Sequence, residues 1–475
     1  MIEDERLAAR LLARALSRAV PVRETYTMAP DPDEVFGVVT IKVVTEDQVQ
    51  ALAFGQLGGP PTVIPRWNPL SRDTSDLQPF ALALTDYVDR MLATRQTPRI
   101  CLPHGGTLDV LDIMGWRYQT NPAASDAVRR LGRYCRAVAE EARYADQQVV
   151  FVAGELLADH VATGQSPTED RHPGALLAWV DTSHGRDPRK VARERSLYPA
   201  SGILVNTPDQ PHDDIVEGLR QVAKNGPLYR RTPARRRIED ILSAGAIREW
   251  ELMIQLRNAF WGLGLSHAGT GIDRASTASR RRLESILQLR AIHALRSPTA
   301  LAKRLVRYEG ASSAHEDMVI VNDRLIRGTR MERGRVIDAT VVSINQPRLG
   351  WRPCTIVLRT PQTALRFRRD SKVKLVGTNI TGRIRAFQTD AASGDTLIDI
   401  EVVNGVRSTG SIGAGTTTEW VGDNYFPPYW TARMLEEADG RGNWVIDGGG
   451  TPGPSPTAGL PDDLYEAAEN LRSRP

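Results

Sequence analysis

The stretch LRFRRDSKVKLVGTNITGRIRAF, residues 365–387, sets cations at alternate positions with apolar residues between them. Arg366 and Arg368 bracket Phe367, Lys372 and Lys374 bracket Val373, and Arg383 and Arg385 bracket Ile384. Residues i and i+2 of a β-strand share a face. Each run therefore predicts a strand with its charges on one side and its hydrophobes on the other. Outward from this stretch the same texture continues. After Gly334 the segments Val336–Ile344, Thr355–Leu358, Leu365–Phe367, Lys372–Val376, Gly382–Phe387 and Thr396–Val403 are short and rich in β-branched residues. Pro347, Pro361, Asp370-Ser371, Ser393-Gly394 and Asn404-Gly405 punctuate them. Five or six strands at this spacing predict a small β-barrel or sandwich.

Upstream the period changes. Leu7, Leu11, Leu12, Ala15 and Leu16 form one stripe of a helix over residues 3–19, and helical patterns return near 76–94 and 124–145. Phe36–Val44 is β-rich, and Gly58-Gly59-Pro60-Pro61 breaks the chain after it. Val149–Ala153 reads either as a short buried strand or as the start of a helix running to Thr163. Helices are expected over Ile215–Val222 and 236–263, then over Ser279–Ala294 and 299–308, with an interruption near Pro298. Gly448–Gly459 is rich in Gly, Pro and Ser and is expected to be disordered, with a short acidic helix over Asp462–Arg472. The expected fold class is multidomain α+β: largely helical N-terminal and central regions, a small β-barrel, and a flexible C-terminal tail. The expected divisions are 1–180, mixed and mainly helical; 181–225, connecting; 226–330, basic and helical; 331–425, the barrel; and 426–475, the tail.

At 475 residues, 41% hydrophobic and 25% charged, the chain is long enough for about three domains. It contains no apolar run long enough to span a bilayer. The acidic start Met1-Ile2-Glu3-Asp4-Glu5 lacks the basic and apolar regions of a secretory signal. Cys101, Cys135 and Cys354 are odd in number and far apart, so neither a disulfide framework nor a zinc ribbon is expected, and a cytoplasmic location fits. Charge is distributed unevenly. Residues 226–330 hold 19 Arg and Lys against 10 Asp and Glu, and residues 331–420 hold 13 against 8, while the whole chain is only +4. A basic centre between acidic flanks bears on partners rather than on fold.

Motifs of catalysis are largely missing. There is no Walker A loop, since Gly413-Ala414-Gly415-Thr416 lacks the lysine that reaches phosphates, and there is no H-E-x-x-H. His104-Gly105-Gly106-Thr107 could form an oxyanion turn, but the G-x-S-x-G elbow that this would require is missing; a tight turn leading into a helix is the simpler reading. Glu155, Asp159 and His160 could share a helical face, without a further ligand that the sequence names. No cofactor and no metal site is expected, and the chain reads more as a binding protein than as an enzyme.

The candidate site is cationic. Arg366, Arg368, Arg369, Lys372, Lys374, Arg383 and Arg385 would hold the phosphates of DNA or RNA, helped by Arg280, Arg281 and Arg282, which are expected to begin a helix. Arg230, Arg231 and Arg235–Arg237 are likewise expected ahead of a helix, where cations oppose the macrodipole and so point to an acidic partner. Trp351 could stack on a base. The competing reading is cross-strand neutralisation by Asp399 and Glu401.

Residues 334–420 resemble the accessory β-barrel beside the motor of superfamily 1 helicases, through Val341-Val342-Ser343-Ile344, Leu365-Arg366-Phe367-Arg368 and Ser371-Lys372-Val373-Lys374-Leu375-Val376. The stretch from Ala162-Thr163-Gly164-Gln165-Ser166 to Leu176-Leu177-Ala178-Trp179 is similar to actinobacterial proteins that accompany helicases. The ATPase motifs of that family are absent. The resemblance therefore implies a separate helicase or other ATPase partner. The expected function is a non-catalytic nucleic-acid-binding accessory subunit; the alternatives are a protein-interaction scaffold and a divergent metal-dependent nuclease.

Overall fold

The computed structural model describes residues 3–42, 49–69, 71, 73–196, 212–288, 298–348, 350–391 and 393–422. It opens with helix α1 (Glu3–Leu16) and the two-residue strands β1 (Val20–Pro21) and β2 (Thr25–Tyr26). A mixed five-stranded sheet follows. Strands β3 (Phe36–Lys42), β4 (Val49–Gln56) and β5 (Thr62–Pro65) form an antiparallel meander. The Gly-Gly-Pro-Pro break is the turn between β4 and β5. Helix α2 (Gln78–Ala93) then returns the chain to β6 (Ile100–Leu102), which lies parallel to β3. Helices α3 (Gly105–Tyr118) and α4 (Asp126–Glu141) lead to β7 (Val150–Val152), parallel to β6. The sheet order is β5-β4-β3-β6-β7.

Alternation along β3 makes this a two-faced sheet. Val38 belongs to the core under α2, α3 and α4, with Leu52, Phe80, Leu84 and Val128. Val39 belongs to the opposite core, with Phe151, Trp250, Met253 and Phe260. The second face is covered by α5 (Ala153–His160) and by the 34-residue α9 (Leu228–Trp261). Between them in the chain come β8 (Val161–Ala162), which pairs with β1, and helices α6 (Pro173–Val180), α7 (Pro188–Ser196) and α8 (His212–Asn225). Strand β9 (Ser266–His267) pairs with β2, and α10 (Thr270–Leu287), α11 (Pro298–Asn322) and α12 (Arg324–Glu332) complete the helical part. Val149–Ala153 turns out to be both a strand and a helix start, because β7 ends one residue before α5 begins.

Strands β10 (Val336–Asn345), β11 (Thr355–Thr360), β12 (Lys372–Leu375), β13 (Thr381–Thr389), β14 (Thr396–Asn404) and β15 (Thr417–Gly422) close into a barrel in the order β10-β11-β14-β13-β12-β15. The protein is thus mixed α+β with a closed six-stranded barrel. The barrel interior holds Ile337, Ile356, Leu358, Val373, Ile384, Ile398, Ile400 and Trp420. Each such side chain contributes about 1.5–3 kcal/mol on leaving water.

Two expectations need correction. Leu365–Phe367 is not a strand, and the sixth staves place is taken by β15, with Trp420 fully buried at its centre. Leu365 and Phe367 do pack on the barrel core. Their backbone, however, leaves the ladder: the Arg366 N–H bonds the Gly334 carbonyl at 2.8 Å, and the Arg368 N–H bonds the Ser371 hydroxyl at 3.0 Å. The arginine clusters also do not precede their helices. Arg280–Arg282 lie ten residues inside α10, and Arg230, Arg231 and Arg235–Arg237 lie within α9. The macrodipole argument weakens within a turn of the terminus and does not reach Arg280–Arg282. The expected disordered stretch, the acidic C-terminal helix, Val43, Val44 and the last six residues of the helix expected over Ser279–Ala294 lie outside the described residues.

Candidate functional site

Lys372, Lys374, Arg383 and Arg385 come together on one outer face of the barrel. On β12, Val373 and Leu375 point inward while Lys372 is exposed and Lys374 half-buried. On β13, Gly382 and Ile384 point inward and Arg383 and Arg385 outward. Gly382 is required there, because a Cβ would sit 2.4 Å from Ile400 Cγ2. The register places Lys372 directly opposite Arg383, and Arg383 directly opposite Glu401. A β-bulge between Ile384 and Ala386 leaves Arg385 outside the regular pairing.

Arg385 is neutralised. Its Nε donates to Glu401 Oε2 at 2.5 Å, Nη2 lies 2.5 Å from the same oxygen, and Nη1 donates to Asp370 Oδ1 at 2.5 Å. The Glu401 hydrogen bond raises the Arg385 pKa further. Glu401 thus makes its ion pair with Arg385 and none with Arg383, its ladder partner. Asp399, the other carboxylate expected to neutralise the face, makes no ion pair with a described residue, and neither do Lys372, Lys374, Arg383, Arg366, Arg368 or Arg369. The three loop arginines are exposed on the segment between β11 and β12, which is tied to β13 by the Asp370 N–H bond to the Ile384 carbonyl at 2.7 Å. Asp370 adopts φ +66°, in the left-handed region. Six cations thus line the outer surface of β12, β13 and this loop. Trp351, in the loop after β10, is 60% exposed, with the Arg348 guanidinium 5.6 Å from its ring centre. Phe387 is exposed on β13, a second aromatic surface that the sequence reading passed over.

Arg280–Arg282 do not extend this face. Consecutive helical residues point in different directions, and the three part company. Arg280 pairs with Glu284 at 2.5 Å. Arg282 pairs with Glu141 at 2.7 Å and Asp146 at 2.9 Å and lies 4.3 Å over the Tyr144 ring. Arg281 alone is exposed. Arg235 stacks 4.2 Å over Trp67.

The carboxyl ends of parallel strands are the usual ligand edge of an open sheet. Beyond β6 and β7 that edge holds His104, Glu155 and Glu249. His104 Nε2 lies 3.6 Å from Glu249 Oε2, both side chains being buried. Gly105 lies against the Glu155 carboxylate and is needed there because a Cβ would sit 2.3 Å from Glu155 Oε1. Burial, then the Asp159 charge, pushes the Glu155 carboxyl up. His104 is the N-cap of α3, and residues 105–107 are the first turn of that helix. Asp159 pairs with Arg6 at 3.1 Å, and His160 packs edge-on against Phe260. Among the described residues no group of three or more His, Cys, Asp or Glu could hold a metal ion. The three cysteines are buried and free. No described helix is long and apolar enough to cross a membrane.

No family model, curated protein or solved structure matches this chain.

Proposed function

We propose that the protein is a nucleic-acid-binding accessory subunit, working in the cytoplasm beside a separate helicase or other motor, with the barrel as its binding module. One observation carries the reading: Lys372 and Arg383 face each other directly across the ladder, exposed, with no ion pair to a described residue. Like charges directly opposite one another destabilise a sheet. A polyanion laid across β12 and β13 relieves that repulsion and releases its condensed counterions. Arg366, Arg368, Arg369 and Lys374 lengthen the strip, and Trp351 and Phe387 offer stacking surfaces. Since the sequence carries no Walker A loop, this reading gives strand movement to the partner.

The test is fluorescence anisotropy with labelled single-stranded DNA and RNA over a salt series. If all six cations engage phosphates, log K falls against log[salt] with a slope of about −4. Replacing Lys372, Lys374 and Arg383 with Ser should reduce that slope by about 2. Replacing the exposed Lys224 on α8 with Gln serves as the control. An equal slope in wild type and triple variant removes the proposal.

A further inference from the structure

Away from the barrel, α1, α6, α7 and the loop after β8 enclose a cleft of about 580 Å³, within the range of small-molecule sites. We propose that this cleft binds a small organic phosphate, its phosphate gripped by Arg14, Arg189 and Arg193 and its body set against Ala175, Ala192 and Trp179.

The cleft is built, not incidental. Trp179 is buried, and its indole N–H donates to Gln165 Oε1 at 3.1 Å. Its ring edge passes so close to Gly164 that a Cβ there would lie 2.1 Å from Cη2. Gly164 therefore lets the loop close over the indole and presents its carbonyl to Arg14 Nε at 2.5 Å. This bond sets the Arg14 guanidinium at the rim. Arg189 Nη2 reaches the Arg14 carbonyl at 3.4 Å, which draws the second guanidinium to the same side. Arg193 follows one helical turn later on α7 and lines the cleft as well. None of the three makes an ion pair with a described residue. The neighbouring Arg10, by contrast, pairs with buried Asp170 at 3.0 Å. The carboxylate on the lining, Glu169, accepts the Ser166 N–H at 2.7 Å and is held in its own turn. Arg14, Arg189 and Arg193 are exposed, so three guanidinium groups stand on the open side of a cleft whose lining carries one carboxylate, and they leave a net positive charge where an anion can reach it. A phosphate matches the planar forks of arginine, and the alanines and the indole edge supply apolar surface for a body attached to it.

The full chain is titrated calorimetrically with adenosine monophosphate, inorganic phosphate and adenosine. The monophosphate should bind most tightly, phosphate more weakly, and adenosine not measurably. Arg193→Gln and Arg189→Gln should each weaken the monophosphate by roughly tenfold to a hundredfold, the range for a lost charge-assisted hydrogen bond. Lys190→Gln, an equal charge change on an exposed side chain of α7 that does not line the cleft, should leave affinity unchanged. Adenosine binding as well as its monophosphate, Lys190→Gln costing as much as Arg193→Gln, or no binding by either phosphate probe would each overturn the assignment.

Discussion

Replacing Arg282 with Ala tests whether the arginines of α10 belong to the fold. Arg282 closes on Glu141, whose side chain is 0% exposed, through Nη2 at 2.7 Å and Nε at 3.0 Å, while Ser279 Oγ donates to Glu141 Oε1 at 2.6 Å. Without Arg282, the carboxylate remains buried with the Ser279 hydroxyl bond and the nearby Asp146 charge. Breaking a buried ion pair by removing one partner costs about 3–5 kcal/mol, a large share of the roughly 5–15 kcal/mol that holds a domain together. The melting temperature should fall by roughly 6–20 °C. Adding Glu141→Gln should recover more than half of the loss, because the stranded charge goes with it. The pH dependence has a definite sign. Burial pushes the Glu141 carboxyl up, with Arg282 pulling it back down. The folded state therefore holds this proton more tightly than the unfolded chain, so its contribution to stability grows as pH falls through the folded pKa and is lost as pH rises through it. Arg282→Ala should widen that window upward. Urea titrations at several pH values read all three effects, and nucleic-acid affinity of the folded variant should not change. A loss below about 1 kcal/mol, the scale of a surface pair, or no rescue by Glu141→Gln, would refute the reasoning.

Asp323→Ala should destabilise by about 3 kcal/mol or more, measured by chemical unfolding. Its Oδ1 caps α12 through the Ile326 N–H at 3.0 Å, and its Oδ2 accepts the Glu24 and Thr25 N–H groups at 2.8 and 3.0 Å, so a cap and two strand-end donors are lost together. His160, its pKa pushed down to about 4 mainly by burial, should titrate near that value by NMR. Because the unfolded chain takes up this proton first, stability is lost as pH falls below the ordinary histidine range towards 4; a midpoint near 6.5 would contradict the buried placement.

The alternation of Lys372, Val373 and Lys374, and of Arg383, Ile384 and Arg385, was legible because a strand's two faces are written at every second residue. Leu365–Phe367 carries the same pattern and even packs as the pattern requires, but periodicity does not say whether a backbone finds ladder partners. Strand β15 escaped because Thr417, Thr418 and Glu419 give little apolar signal before Trp420. In the N-terminal half, β4, β5 and β6 were missed. Val49–Gln56 buries both faces over its first six residues, and Ile100–Leu102 is three residues long, so neither shows a period of two.

The sequence by itself determined the strongly periodic matters: the longer helices, the alternating strands of the barrel with the turns between them, and that cations crowd the centre of the chain. Tertiary structure alone decided which of those cations stay unneutralised. Arg282 and Arg385 form ion pairs with carboxylates from other elements, at Glu141, Asp146, Asp370 and Glu401, whereas Lys372 and Arg383 form none with a described residue, although Arg383 lies opposite both Lys372 and Glu401. It also assembled Arg14, Arg189 and Arg193 around one cleft from helices more than 170 residues apart. Charge pairing depends on distance in space, and separation along the chain carries almost no information about that distance once the chain has folded back on itself.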